Sequence, residues 1–306
     1  MPTSAKKVPE TLAIGCDVGG TSTRLALVDT DTGRIVEARR HPSQAGDYRA
    51  GLAALVVDLY ALRKVARRKV PIGIAIAAQL DPLRRKALVS PNLQWWNAPI
   101  ADDLEAALGG VIAIENDVRG AAHGELRFGA LRGVTGTAAS VFWGSGIGGA
   151  VIACGQVQAG SLSIAGEVGH MTYEAGGIAC GCGKRGCYEA YIGGHALTRR
   201  MRRRGIEGRT TRDLFTAARR GERKAKKLVD EALAIMGQHV GNLATLIDPE
   251  AIVIGGSIGL TAFSALQQAV RPHLLVVRRG KLRLVRAALG DNSGVLGAAA
   301  LASAQA

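Results

Sequence analysis

Two stretches of this chain share one design. "LAIGCDVGGTSTRLALVDTDTG", from Leu12 to Gly33, runs as a short apolar segment, a Gly-Gly turn, an alternating segment and a further turn. "AASVFWGSGIGGAVIACGQV", from Ala138 to Val157, repeats that order in the middle of the chain. Apolar runs this short, bounded by glycines, read as strands rather than helices. A strand-turn-strand unit that recurs once, at a spacing far longer than a solenoid repeat, points to a duplicated domain. At 306 residues the chain has room for two domains, each burying its own core.

The rest alternates helix and strand, as an α/β fold requires. From Asp47 to about Arg67, Leu52, Leu55, Val56, Leu59 and Leu62 fall at helical spacing; Pro71 ends the segment, and "IGIAIA" is the next strand. "DDLEAAL" is a short helix, and "VIAIEND" a strand that delivers Asn116 and Asp117 at its end. Ala225, Leu228, Val229, Ala232, Leu233, Met236, Val240 and Leu243 mark a long amphipathic helix closed by Asp248-Pro249. "AIVIGGSIG" is a buried strand running into glycines, and "GVLGAAALASA" a C-terminal helix. The expected division is a small N-terminal α/β domain over 1–118, completed by the helix at about 291–306, and a larger α/β domain over 119–290. With 41 glycines and only 4% aromatic residues, close backbone packing is favoured over a core of large rings.

No run of eighteen uncharged apolar residues occurs, and the start "MPTSAKKVPETLAIG" lacks the apolar segment of a signal peptide, so a cytoplasmic protein without membrane contact is expected. Five cysteines, an odd number, argue against a fully paired secreted framework. The net charge of +14 raises the question of a polyanionic partner. Much of it sits in Arg199, Arg200, Arg202, Arg203 and Arg204, and in Arg219, Arg220, Arg223, Lys224, Lys226 and Lys227, with no aromatic residues interleaved. That pattern reads as a solvated helix face, and a nucleic-acid partner is not expected.

Asp17-Val-Gly19-Gly20-Thr21 forms the first Gly-rich turn. Paired glycines let the backbone approach a phosphate and offer it N–H groups, Thr21 adds a hydroxyl, and Asp17 can hold Mg²⁺ directly or through water. Alone, such a turn is often no more than a hairpin. Gly144-Ser145-Gly146-Ile147-Gly148-Gly149 is the matching turn of the second copy, and the pair suggests two jaws for a polyphosphate. Neither fits the Walker pattern or the dinucleotide fingerprint. Gly255-Gly256 follows a buried strand and suits an adenine or ribose packed on backbone, or simply a strand-to-helix turn. Asp117 at a strand end can take the proton of an attacking hydroxyl, or cap the helix starting near Val118, or both.

Cys180, Cys182 and Cys187 lie close together in "HMTYEAGGIACGCGKRGCYEA". A disulfide would strand one thiol, and the C-x-x-C spacing of redox sites is missing. Zinc takes four soft ligands in a tetrahedron; three thiols and His170 supply them as a closed structural site.

Together these residues resemble the ROK family of sugar kinases and repressors, members of the actin-like, hexokinase-like ATPase superfamily. The most specific part is Ala165-Gly166-Glu167-Val168-Gly169-His170 followed by Cys180-G-Cys182-G-x-x-G-Cys187-Y-Glu189. The resemblance implies two actin-like (ribonuclease H-like) α/β domains with a cleft between them. It implies Asp117 as catalytic base in the family's Asn116-Asp117 pair. Asn92, Asn116, Asp117, Glu167, His170 and Glu189 would contact the sugar. Asp17, Gly19, Gly20, Thr21, Gly144, Ser145, Gly146, Gly148, Gly255 and Gly256 would contact ATP, and His170, Cys180, Cys182 and Cys187 would hold zinc. A homodimer is also implied.

The expected activity is ATP- and Mg²⁺-dependent phosphorylation of a hexose at its 6-hydroxyl, with glucose first. Fructose, mannose, allose, N-acetylglucosamine and N-acetylmannosamine are the alternatives, as is polyphosphate in place of ATP. A sugar-sensing regulator of the same family would carry a DNA-binding winged helix ahead of the sugar domain, whereas sixteen residues precede Asp17 here. A catalytically silent sugar binder is disfavoured by Asp17 and Asp117. Three departures from the family stand out: Ala77-Ala78-Gln79-Leu80-Asp81 where Pro-Gly is usual, Arg119-Gly120 where Asn-Ala is common, and Trp143 where a small residue is common.

Overall fold

The computed structural model describes residues 11–304. In chain order the elements are β1 (Leu12–Val18), β2 (Ser22–Asp29), β3 (Arg34–Pro42), α1 (Tyr48–Ala66), β4 (Ile72–Ile76), β5 (Gln79–Leu80), β6 (Ala87–Ser90), β7 (Trp95–Ala98), α2 (Ile100–Leu108), β8 (Ile112–Asn116) and α3 (Asp117–Arg127). They continue with β9 (Ala138–Trp143), β10 (Ile147–Ala153), β11 (Gln156–Val157), α4 (Tyr188–Ile192), α5 (Gly194–Arg203), α6 (Thr211–Arg219), α7 (Arg223–Ile247), β12 (Ala251–Gly255), α8 (Ser257–Val270), β13 (Arg283–Arg286) and α9 (Ser293–Ala304).

Two five-stranded sheets carry the same plan. The first has the order β3-β2-β1-β4-β8 and the second β11-β10-β9-β12-β13. In each, the first three strands in sequence form an antiparallel meander and the last two join parallel to its leading strand. The duplication visible in the two Gly-rich segments is therefore a duplication of topology, and the fold is the mixed α/β one expected.

The chain divides into two compact units. Of the described residues, the first holds 11–132, 159–165 and 291–304, the second 133–158 and 166–290. The first unit thus runs past residue 118, the boundary expected from the strand pattern, because α3 packs along α9 inside it. Its core lies under α1 and α2 and is aliphatic, with Ile14, Leu25, Leu55, Leu59, Ile74 and Leu104 buried. The opposite face of β1 and β4 is covered by α9, at the distance that glycine permits. A Cβ at Gly15 would come within 2.8 Å of the Ala299 nitrogen, and one at Gly73 within 2.8 Å of the Ala298 carbonyl carbon. A small antiparallel sheet of β5, β6 and β7, unforeseen from the sequence, follows β4.

The second unit packs α4, α7 and α8 on its sheet around Trp143, Tyr188, Leu228, Met236 and Ile254. Among the described residues, no helix is long and apolar enough to cross a membrane.

Candidate active site

The expected site residues are shared between the units. Asp17, Gly19, Gly20, Thr21, Asn92, Asn116 and Asp117 belong to the first, and the second Gly-rich turn, Glu167, His170, the cysteines, Glu189, Gly255 and Gly256 to the second.

In the first unit, the turn after β1 is pinned by Ser43, a residue that carries no motif. The Ser43 hydroxyl donates to the Gly19 carbonyl at 2.5 Å, and the Ser43 N–H donates to the Thr21 carbonyl at 3.2 Å. Gly20 lies against Asn92: a Cβ on Gly20 would sit 2.5 Å from the Cβ of Asn92. A residue proposed for sugar and one proposed for phosphate are therefore neighbours, and the contact requires glycine.

Asp17 faces the start of α9, where Gly294 leaves it room: a Cβ there would lie 2.7 Å from the Asp17 carboxyl carbon. Burial pushes the Asp17 carboxyl up to about 6, with Arg24 pulling it down and Asp291 pushing it further up. Arg24 stands opposite Asp17 in the sheet and donates to the Asp291 carbonyl at 2.6 Å. The sign of the linkage is fixed by this shift. The folded chain holds the proton more tightly than the unfolded one, so ionising Asp17 costs stability as pH rises from about 4 through about 6. Asp17→Asn is expected to raise stability by roughly 2–3 kcal/mol at pH 8, and by progressively less as pH falls toward 4. Thermal melts across that range check this; a pH-independent gain, or a loss at pH 8, contradicts it. A carboxylate that is costly to keep ionised in the protein alone is suited to a cation.

At the β8–α3 junction the helix cap is Asn116, not Asp117. The Asn116 side-chain oxygen accepts from Val118 N–H at 3.0 Å and Arg119 N–H at 3.2 Å. Asp117 is the first helical residue, accepting from Val118 N–H at 2.9 Å and from the Asn116 side-chain amide at 3.0 Å. Both residues are good caps by type; β8 pairing with β4 as far as Asn116 decides between them. The Asn116 amide also donates to the Ala78 carbonyl at 3.3 Å, so the departing Ala77–Asp81 segment touches the pair directly.

In the second unit, the turn between β9 and β10 is held from outside by α4 and α5. Gly194 N–H donates to the Gly144 carbonyl at 2.9 Å, and His195 N–H to the Ser145 carbonyl at 3.0 Å. One oxygen of Glu189 accepts from Ile147 N–H at 2.7 Å, just past Gly146. Glu189, assigned to sugar by resemblance, thus also braces the turn assigned to phosphate. Gly256, with φ +77°, lies on Trp143: a Cβ there would be 2.6 Å from the Trp143 carbonyl carbon. The Trp143 ring turns inward, fully buried, and its N–H donates to the Ile192 carbonyl at 2.7 Å. The bulky residue at this position therefore leaves the turn unobstructed.

Glu167 and His170 sit on one 3₁₀ turn seated on β10. Gly166, φ +87°, lies within 2.7 Å of the Gly149 oxygen and the Ala150 Cα by the same Cβ measure. The two faces of the His170 ring edge differ. Nδ1 is 3.6 Å from Cys180 Sγ, and Nε2 is 3.9 Å from a Glu167 oxygen. Cys182 Sγ is 3.6 Å from Cys187 Sγ, and the ligand atoms of His170, Cys180, Cys182 and Cys187 all lie within 4.8 Å of one another. Bonds of about 2.3 Å to a central ion put tetrahedral corners nearly 4 Å apart. The cluster could hold a metal ion of that geometry.

The ROK family profile matches residues 13–305. The chain belongs to the ROK family. Glucokinase from Streptomyces coelicolor is 29% identical over 315 residues, covering 95% of this ROK chain and 97% of the relative. N-acetyl-D-glucosamine kinase from Pasteurella multocida is 29% identical, covering 94% of this chain and 98% of its own. The crystal structure of a ROK family glucokinase from Streptomyces griseus, in complex with glucose and AMPPNP, superposes with a TM-score of 0.82 at 29% identity, covering 96% of this chain and 100% of that one.

Proposed function

We propose that this ROK chain is a sugar kinase that transfers the γ-phosphoryl group of ATP to the 6-hydroxyl of glucose. The observation that carries the reading is the β8–α3 junction. It presents one Asp117 oxygen already fixed by Val118 N–H and the Asn116 amide, in a chain similar over nearly its whole length to a glucokinase. A carboxylate oriented in this way suits a general base. The sugar hydroxyl gives its proton to Asp117 as its oxygen bonds to the γ-phosphorus; the bond to the β-bridging oxygen breaks and ADP leaves. Mg²⁺ carried with ATP, held from Asp17, would offset charge on the transferring group. Gly20 and Thr21, with Ser145 and Gly146, would offer backbone N–H groups to the phosphates, while Gly19 and Gly144, whose N–H groups close the two turns on the Ser22 and Gly146 carbonyls, and Gly148 in β10 shape them; Gly255-Gly256 gives a flat backbone surface to adenosine.

Asn92, Asn116, Glu167, His170 and Glu189 hold the sugar hydroxyls. His170, Cys180, Cys182 and Cys187 would hold zinc, whose task would be structural. A metal held through Nδ1 would leave His170 Nε2, 3.9 Å from the Glu167 carboxylate, to contact the sugar beside it.

A second reading, phosphorylation of an N-acetylhexosamine, is favoured by the Pasteurella relative. A panel of glucose, mannose, fructose, allose, N-acetylglucosamine and N-acetylmannosamine with ATP and Mg²⁺ separates the two. Glucose is expected to give the highest kcat/KM, by about tenfold or more over the amino sugars. An amino sugar in first place would replace the glucose assignment, and no sugar phosphate from any of the six would remove the kinase reading. The same panel with polyphosphate tests the donor.

A further inference from the structure

Arg119 is the residue by which this chain departs from its family two positions after Asp117, and the structure gives it an unusual setting. Its side chain is 1% exposed, as is that of Glu115. Its Nε donates to Glu115 at 2.7 Å, its Nη2 to the Ser163 hydroxyl at 3.0 Å and its Nη1 to the Ala165 carbonyl at 3.3 Å. Ser163 is itself buried, at 2% exposure, with φ +56°, a backbone conformation that serine enters only when held. Glu115 is satisfied in turn by Arg84 at 3.1 Å and by Asn116 N–H at 2.8 Å. A buried ion pair adds little to stability compared with apolar residues of the same volume; what it supplies is a fixed geometry. The guanidinium, planar and rigid, fixes two positions at once on the segment it meets.

That segment is Ala159–Ala165, a short excursion of the chain that packs with the first unit between two stretches of the second. Ala165 is followed directly by Gly166 and Glu167. The far side of Gly166 is already seated on Gly149 and Ala150. The Glu167–His170 turn is thus seated on β10, and the chain enters it from a residue whose carbonyl Arg119 holds.

We propose that Arg119 is a positioning residue for the sugar-holding turn, acting through Ser163 and Ala165 to fix Glu167. This rests on the sugar-kinase reading for its kinetic consequence, and on the geometry alone for its structural one. The test uses the full chain with Ser163→Ala, Arg119→Lys and Arg119→Met. Arg119→Met is expected to raise KM for glucose about tenfold, with KM for ATP and kcat changed less than threefold. Ser163→Ala, which leaves the Glu115 pair intact, raises it about threefold. Adding Ser163→Ala to Arg119→Met changes nothing further, since both remove one link. A merely structural arginine would instead lower the melting temperature and the active fraction with KM unmoved, and that result overturns the proposal. Should Arg119→Met not fold, Ser163→Ala decides alone. Amide exchange over residues 160–170 reads the positioning whatever the substrate is: faster exchange at 166–170 in Ser163→Ala supports it, and unchanged exchange there overturns it. A wild-type chain without kinase activity would sink the kinase reading, and exchange would still judge the role of Arg119.

Discussion

Asp117→Asn is expected to lower kcat by about a thousandfold while leaving the Kd for glucose within about threefold. The substitution is matched to the site. The amide oxygen of asparagine can still accept from Val118 N–H and from the Asn116 amide, so the start of α3, capped by Asn116, is kept. What disappears is the capacity to take a proton at neutral pH. ADP release by a coupled assay gives kcat, and calorimetry gives the affinity. Turnover within tenfold of wild type would rule out Asp117 as base; equal losses of turnover and sugar affinity would make it a binding residue.

Cys182→Ala is expected to take zinc content from about one per chain to near zero, and to weaken glucose binding by about 10- to 100-fold with KM for ATP little changed. Removing one of four soft ligands opens the cluster and frees His170, whose Nδ1 faces Cys180. The loop should not collapse altogether. The Tyr191 hydroxyl donates to Glu174 at 2.6 Å and accepts from Ile178 N–H at 2.9 Å, and Tyr173 packs on both Tyr188 and Tyr191. These contacts keep α4, and with it Glu189, in place, so the loss should fall on the His170 side of the sugar site. Elemental analysis and glucose titration of the same preparation check it. Zinc lost with sugar affinity intact would cut the link between metal and substrate.

The parts of this protein that were legible in its sequence are those written locally. Glycine at a hairpin and cysteines a few residues apart each announce their geometry within a dozen residues, and the strands and long helices follow from their apolar periodicity. The β5–β7 sheet was not legible, because strands of two to four residues carry too little alternation to register. The C-terminal helix was expected to complete the first domain, and it groups with the first unit; what had no local signal is its seat on Gly15 and Gly73, a long-range contact. The bonds of Ser43 to Gly19 and of Arg119 to Ala165 were missed for the same reason, since they join residues 24 and 46 positions apart. Trp143 stood out in the sequence only as a departure from the family; its setting, with the indole N–H on the Ile192 carbonyl, comes from the fold.

The C-terminal helix has a consequence for the order in which the molecule is made. Residues 133–158 and 166–290 all emerge from the ribosome ahead of α9, so the second unit has its parts in hand while the sheet of β1 and β4 still lacks the helix that covers one face. Domains generally fold as units during synthesis, earliest first. Here the half that is translated first is the half that is sealed last, and the nascent chain must carry an unfinished sheet until α9 emerges.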